Sequence, residues 1–268
     1  MTEQDAIEQV DAPATVSSLA ADFRDLGLSA GDTVIVHSSL SSLGWVCGDA
    51  PAVVDALMDV LTETGTLVMP SFTSQYSNPE FWSQPPVPDD WVEVIKDLRP
   101  AYRPESTPTR GMGAIGECFR NYAGVVRSQH PITSFAAWGT GAADLVADHE
   151  LAYGLGEGSP LAKLYDRDAK VLLLGVGHAN NTSIHLAEYR ADLDQEVLTE
   201  RVPVERDGER VFVEFEDIET DTDDFEEVGA AFEREHGITE GTVGAATVKL
   251  VDQPALVDFA VEWFETNR

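Results

Sequence analysis

The pair His185 and Glu188 has the residue types and the spacing needed to move a proton. The two lie three residues apart in 182–191, a segment predicted to be helical, so their side chains share one face. A carboxylate beside an imidazole fixes its tautomer and raises its basicity, which suits a general base near neutral pH. The same spacing is equally typical of a structural pair. Half of a metal site is a weaker alternative, since no matching second half follows.

Two further groups of polar residues could receive anionic or carbonyl oxygens. The first, His37-Ser38-Ser39-Leu40-Ser41, follows an apolar run and offers small side chains and backbone N–H groups. A simple strand-to-helix cap explains it as well. The second, Thr107-Pro108-Thr109-Arg110, places two hydroxyls and a guanidinium just before a predicted helix, as an anion clamp would. Its alternative is an ordinary surface arginine.

Several familiar signatures are missing. The glycine-rich segment 154–159 follows no apolar strand and matches neither the dinucleotide fingerprint nor the P-loop. No G-x-S-x-G run occurs, and His149-Glu150 has no second histidine at the zinc-binding spacing. Cys47 and Cys118 have neither a disulfide framework nor metal-ligand spacing, so both are predicted to be small buried apolar residues. The sequence predicts no metal site.

The elements around these residues follow an α/β rhythm. A helix is predicted at 15–26, a strand at 33–37, a helix at 50–63 and a strand at 66–69. Strand, helix and strand within so short a stretch predict a βαβ unit and a parallel sheet covered by helices. The strongest strand, 170–175, comes directly before the segment that carries His185. Since ligands bind beyond the carboxyl ends of such strands, His185 is expected near a binding cleft.

Other segments complete a single predicted domain over residues 1–268. Residues 70–109 are rich in proline and read as a long structureless loop of functional importance. The tail is predicted to form a β-hairpin around Asp207-Gly208 and to close with two helices. The remaining predicted elements are helices near 113–122, 140–148, 159–166, 225–236 and 254–266, and short strands near 125–128 and 134–138.

The charge of the chain excludes some classes of partner. Its 268 residues carry 48 acidic and 17 basic side chains, a formal net charge of −31. Such a surface repels phosphate backbones and anionic lipid, so neither nucleic acid nor membrane is an expected partner. Lysine is scarcer than arginine, and the whole pattern is typical of halophile proteins kept soluble in molar salt, where repulsion is screened. No signal peptide or membrane-spanning run is recognised, which predicts a cytoplasmic protein.

Taken together, the motifs resemble the antibiotic N-acetyltransferase family, whose known members are aminoglycoside 3-N-acetyltransferases. Six blocks occur in the family's order, and a weaker likeness follows in the tail. The blocks are VIVHSSLSSLGWVCG (34–48), GTLVMPSFT (65–73), TPTRGMGAIGECFR (107–120), RSQHPITSFAAWG (127–139), GEGSPLAKLYDRDAKVLLLGVG (156–177) and NTSIHLAEYRA (181–191), with DFEEVGAAFEREHGITEGTVG (224–244) in the tail.

The resemblance implies a fold and an activity. The fold would be the family's α/β/α fold, with a mostly parallel central sheet and a C-terminal hairpin and helical part. The activity would be acetyl transfer from acetyl-coenzyme A to the 3-amino group of the 2-deoxystreptamine ring of an aminoglycoside. It also implies that His185 is the general base and that Glu188 orients it. The residues implied to bind coenzyme A are Ser38, Ser39, Leu40, Ser41, Thr107, Thr109 and Arg110, with Ser134 and Phe135 as weaker candidates.

Two alternatives stay open at this point. One is the same chemistry on another amine, such as an aminophosphonate or an amino sugar. The other is a coenzyme A-binding paralogue without transferase activity. The expected partners are therefore coenzyme A and a small-molecule amine, and a homodimer is one of the oligomeric states that the sequence leaves open.

Overall fold

Short runs of aliphatic and β-branched residues form one seven-stranded sheet in the computed structural model, which describes residues 3–83 and 85–268. The sequence runs of β1, β2 and β5 are buried on both faces, as central strands require. The strands of this sheet are β1 (Thr33–Ser38), β2 (Thr66–Pro70), β3 (Val126–Arg127), β4 (Phe135–Gly139), β5 (Lys170–Leu174), β8 (Thr239–Val243) and β9 (Ala246–Asp252).

The strand order is β3-β4-β2-β1-β5-β9-β8. The three central strands are parallel, with β1 between β2 and β5. The outer neighbours pair in antiparallel fashion, so β4 and β9 run against the other strands of the sheet. The sheet is therefore mixed, with most of its described strands pointing one way. The predicted α/β fold with a largely parallel centre is confirmed.

Helices cover both faces of the sheet because side chains alternate along each strand. On β1, Val34 and Val36 belong to the core under one helical layer, whereas Ile35 belongs to the core on the opposite face. The helices are α1 (Glu3–Glu8), α2 (Val16–Asp25), α3 (Asp49–Leu61), α4 (Asp89–Leu98), α5 (Gly113–Phe119), α6 (Ala142–Val146), α7 (Pro160–Tyr165), α8 (His185–Arg190), α9 (Phe225–His236) and α10 (Gln253–Asn267).

The predicted C-terminal hairpin is present as β6 (Val197–Arg206) and β7 (Glu209–Ile218). Its turn residues Asp207 and Gly208 both have positive φ, which the tight turn requires. The hairpin packs on the proline-rich segment 70–109, where Tyr76 and Tyr102 join hairpin side chains in a small separate core. That segment is not structureless as expected, because it contains short 3₁₀ turns and the helix α4.

The structure differs from the sequence-based predictions in three other respects. It contains two further strands, β8 and β9, which together extend the sheet beyond β5. Cys47 is exposed and Cys118 is half-buried, so neither is the buried apolar residue expected. The segment predicted as one helix over 182–191 begins as a 3₁₀ turn and becomes α-helical only at His185. Among the described residues, no helix combines the length and apolar character of a membrane span.

Candidate active site

His185 and Glu188 form a short hydrogen bond at the start of α8. The Nδ1–H group of His185 donates to Oε2 of Glu188 over 2.5 Å. Glu188 is completely buried, whereas the His185 side chain keeps 11% of its surface exposed. Since an ionised carboxylate only accepts hydrogen bonds, the proton of a neutral His185 lies on Nδ1. The other ring nitrogen, Nε2, is then free to accept a proton.

A tight turn after β5 places this pair at the carboxyl edge of the sheet. Gly177 begins the turn, and a Cβ at this position would overlap the Glu226 carboxylate. That carboxylate accepts a hydrogen bond from the backbone N–H of Ala179 over 3.0 Å, which fixes the turn. Oδ1 of Asn181 then accepts from the backbone N–H of Ser183 and caps the following turn. The chain thus enters α8 in one fixed orientation.

Three histidines meet near this edge, and only one has the properties of a base. His178 is wholly buried; its Nε2–H donates to Glu233 and its Nδ1 faces the side-chain amide of Asn181. Burial, followed by the charges of His185 and His178, lowers the pKa of His37 to about 3, too low for it to hold a proton at neutral pH. His185 is the one of these three with a carboxylate partner and an exposed edge.

A cavity of about 860 Å³ opens at the carboxyl ends of β1 and β2. Its size is typical of small-molecule sites. Thr182, three residues before His185 along the same helical turns, is part of its wall. The wall includes two segments, with Ser38, Ser39, Leu40 and Ser41 in the first and Gly111, Met112, Gly113, Ala114 and Gly116 in the second.

The serine loop after β1 is held against the end of β5. The backbone N–H of Ser39 donates to the Leu174 carbonyl over 3.0 Å, and the Ser42 hydroxyl donates to the Gly175 carbonyl over 3.0 Å. The hydroxyls of Ser39 and Ser41 lie 3.2 Å apart, within hydrogen-bond distance. The loop therefore presents a fixed polar rim to the cavity.

The block from Thr107 to Arg110 lies beside the cavity rather than in its wall. The Thr107 hydroxyl accepts from the backbone N–H of Arg103, and the Thr109 hydroxyl donates to Glu117 over 2.6 Å. The Arg110 guanidinium lies over the ring of Trp82, 5.2 Å from its centroid. Both threonine side chains therefore hold this segment in place just before Gly111, which lines the cavity.

Ser134 and Phe135 are fully buried and are absent from the cavity wall. The Ser134 hydroxyl donates to the Ser71 carbonyl over 2.8 Å and accepts from Arg127 Nε over 3.0 Å. Phe135 stacks edge-on with Phe72 in the core. Both side chains therefore hold residues 71 and 72, which directly follow the cavity-lining Pro70.

Sequence reasoning missed several residues at the site. Arg268 and the backbone of Asp221 both donate to Glu188. His37 belongs to the predicted serine loop, and its Nε2 is buried without a hydrogen-bond partner. Asp221 acts here through its backbone N–H, which no side-chain pattern in the sequence indicates. Within the described residues, no cluster of three or more histidine, cysteine or acidic side chains is arranged to bind a metal.

Comparisons with known proteins show the family to which the chain belongs. The family described as aminoglycoside 3-N-acetyltransferase matches residues 35–265. The chain is 47% identical to the SPbeta prophage-derived aminoglycoside N(3')-acetyltransferase-like protein YokD of Bacillus subtilis (strain 168), over 97% of this chain and 96% of the relative. The crystal structure of YokD superposes with a TM-score of 0.95 at 46% identity, covering 98% of each chain.

Two ligand-bound structures are also similar. AAC-IIIb, solved as a binary complex with CoASH, has a TM-score of 0.85 at 32% identity, covering 95% of this chain and 97% of its own. AAC-VIa, solved bound to sisomicin, has a TM-score of 0.87 at 32% identity, covering 96% of this chain and 99% of its own. The family match spans most of the chain and the relatives cover nearly all of it. This chain is therefore an enzyme of the aminoglycoside 3-N-acetyltransferase family.

Proposed function

We propose that this enzyme transfers the acetyl group of acetyl-coenzyme A to the 3-amino group of the 2-deoxystreptamine ring of aminoglycosides, with His185 as general base. The observation that carries the proposal is the His185–Glu188 hydrogen bond, three residues after Thr182, which lines a cleft of ligand size. The similar AAC-IIIb and AAC-VIa, which bind CoASH and sisomicin, support the choice of both substrates. Since acetyl-coenzyme A is a cytosolic metabolite, the proposal is consistent with the predicted cytoplasmic location.

In the proposed reaction the amine nitrogen attacks the thioester carbonyl carbon directly. The new C–N bond forms as the C–S bond breaks, and coenzyme A leaves as its thiolate. The amine attacks in its neutral form, and His185 Nε2 takes the proton that the nitrogen loses as the C–N bond forms. The imidazolium, stabilised by Glu188, then returns that proton to the departing sulfur. Both substrates must be bound together, so the proposed mechanism is sequential.

On the coenzyme side, we assign the cavity wall at Ser38, Ser39, Leu40 and Ser41 to direct contact with coenzyme A. The rim contains hydroxyls and backbone dipoles, which suit a pantetheine arm and a thioester oxygen. Thr182 also lines the cavity and is a candidate donor to that oxygen. The side-chain amide of the neighbouring Asn181 faces His178 instead. We assign Thr107, Thr109, Ser134 and Phe135 to support of the wall, and Arg110 to its outer edge.

The proposed function predicts thiol release in the presence of a 2-deoxystreptamine aminoglycoside. Acetyl-coenzyme A is offered with a panel of amines, including an amino sugar and an aminophosphonate, at low and high KCl. We expect turnover with the aminoglycoside and intersecting lines in double-reciprocal plots, since no acetyl-enzyme is formed. Turnover with another amine alone would indicate the same chemistry on a different acceptor. Coenzyme A binding without turnover under any condition would indicate a binding paralogue.

The proposed adaptation to salt gives a second prediction. At a net charge of −31, mutual repulsion of surface carboxylates opposes folding, and this repulsion weakens as the Debye length falls from about 10 Å at 0.1 M salt to about 3 Å at 1 M. The melting temperature is therefore expected to rise with KCl up to molar concentrations. Scanning calorimetry across a KCl series measures it. Full stability without added salt indicates an acidic mesophilic enzyme instead.

A further inference from the structure

The buried carboxylate of Glu188 has more partners than His185. While Oε2 accepts from His185, Oε1 accepts from Arg268 Nη1 over 2.7 Å and from the backbone N–H of Asp221 over 2.9 Å. A buried carboxylate that lacked such donors would be strongly destabilised. The orientation of Glu188 is therefore set from two sides.

Arg268, which follows α10, is itself held in place. Its Nε and Nη2 donate to the two carboxylate oxygens of Asp224 over 2.8 and 2.6 Å, and Nη2 also donates to the Asp221 carbonyl over 2.8 Å. The guanidinium carbon lies 3.8 Å from the ring centroid of Phe264. Such a paired and stacked guanidinium has little freedom to turn.

These contacts make a line of alternating charge that ends at the proposed base: Asp224, Arg268, Glu188 and His185. We propose that Arg268, supported by Asp224, is a positioning residue that keeps Glu188 Oε2 directed at Nδ1 of His185. This inference rests on the proposed function, in which Nε2 of His185 receives the amine proton. If Glu188 rotates away, the Nδ1 proton loses its acceptor, and the tautomer with a free Nε2 is no longer favoured.

A purely structural role for Arg268 is the competing interpretation. In that case the residue only joins the end of α10 to the turn at 221–224, and its loss affects stability alone. The two interpretations differ in catalytic readouts. A positioning residue affects the turnover of folded enzyme and responds to a cation that replaces it, whereas a structural link does neither.

The kinetic test compares Arg268→Ala, Arg268→Lys and Asp224→Asn with the exposed control Arg234→Ala. We expect Arg268→Ala to lower kcat about 10–100-fold, as loss of a group that orients a ligating or catalytic histidine commonly does. The KM for each substrate should change less than about threefold. Millimolar guanidinium chloride, but not equal KCl, should restore part of kcat. Arg268→Lys and Asp224→Asn should have smaller losses, and Arg234→Ala should have none.

A second measurement needs no substrate. In proton NMR, the short His185–Glu188 hydrogen bond should give a strongly downfield Nδ1–H signal in the wild type, assigned by its loss in Glu188→Gln. Arg268→Ala should shift or abolish the signal, and the folded Arg268→Lys variant should keep it. An unchanged signal together with unchanged kcat in folded Arg268→Ala overturns the inference. If the wild type acetylates no amine, the proposed function fails, and the NMR comparison alone decides the role of Arg268.

Discussion

Replacing His185 with alanine is expected to lower kcat by a factor of about 10²–10⁴, the usual contribution of a positioned general base. The change removes the imidazole that Glu188 orients, so the attacking amine loses its proton acceptor. Affinity for coenzyme A should be nearly unchanged, because His185 is not part of the cavity wall that contains Ser38–Ser41. Steady-state kinetics and direct titration with coenzyme A separate the two effects.

Two matched variants strengthen this test. Glu188→Gln keeps the shape of the side chain but replaces the acceptor-only carboxylate with an amide, so kcat should fall although His185 is present. His236→Ala removes an exposed histidine that stacks on Phe232, and its kcat should match the wild type. Retained turnover in His185→Ala would falsify the base role. Because burial lowers the pKa of His178, that residue would be a poor substitute base.

The contact between His185 and Glu188 was predictable because it depends on short-range geometry. A spacing of three residues in one helical segment brings His185 and Glu188 together whatever the rest of the fold does. The support by Arg268 was not predictable in the same way. It joins residues 80 positions apart, and its signal is a single arginine that no local periodicity distinguishes. Tertiary packing of α10 against α8 creates that contact.

The fold likewise contains elements that the local sequence predicts and elements that depend on tertiary contacts. The strands β1, β2 and β5 are apolar runs bounded by glycine or polar residues, so their sequence alone indicates their type. In contrast, β8 contains Glu240 and Gly241 and is mostly exposed, and it forms a strand because β9 offers it a free edge. The helix α4 was missed for another reason. Trp91, Val94 and Leu98 recur at helical spacing, but the many prolines of the segment 70–109 favoured a loop.

Within the cleft, the serine loop was easier to place than the other coenzyme candidates. It follows a central strand directly, and the carboxyl ends of such strands define the binding edge. Thr109 and Ser134 lie farther from a strand end, and their hydroxyls are used by Glu117 and Ser71 respectively. A motif shared with a family shows that a residue matters. Only the structure separates contact with the cavity from support behind it.

Two further histidines, His130 and His149, are buried away from the cleft and stack with ring centroids 4.7 Å apart. His130 Nδ1 accepts the backbone N–H of Thr133 over 2.9 Å, so the ring is held as a neutral acceptor. Burial lowers the pKa of His130 to about 4 and that of His149 to about 3. Burial also lowers the pKa of His37 to about 3. These three histidines therefore remain neutral in the folded state in mild acid and become charged when the chain unfolds.

The folded enzyme is therefore expected to lose stability as pH falls below 6.5. Below that value His37, His130 and His149 bind protons in the unfolded chain but stay neutral in the folded one. Each of the three lowers the free energy of unfolding by about 1.4 kcal/mol per pH unit. Burial raises the pKa of Glu200 to about 7, so this folded carboxyl holds an extra proton and offsets roughly one histidine. A net loss of about 3 kcal/mol is expected between pH 6.5 and 5. Urea unfolding across this range, at constant KCl, measures it.

The pH dependence of the free energy of unfolding can be assigned to particular histidines. His149→Gln offers an amide N–H to the Gly154 carbonyl that His149 Nε2 contacts at 2.7 Å, and it has no group that titrates. This variant should flatten the pH dependence by about 1.4 kcal/mol per pH unit, even if it is less stable at pH 7. Stability that is constant from pH 6.5 to 5 contradicts the prediction, since buried neutral histidines must produce this dependence.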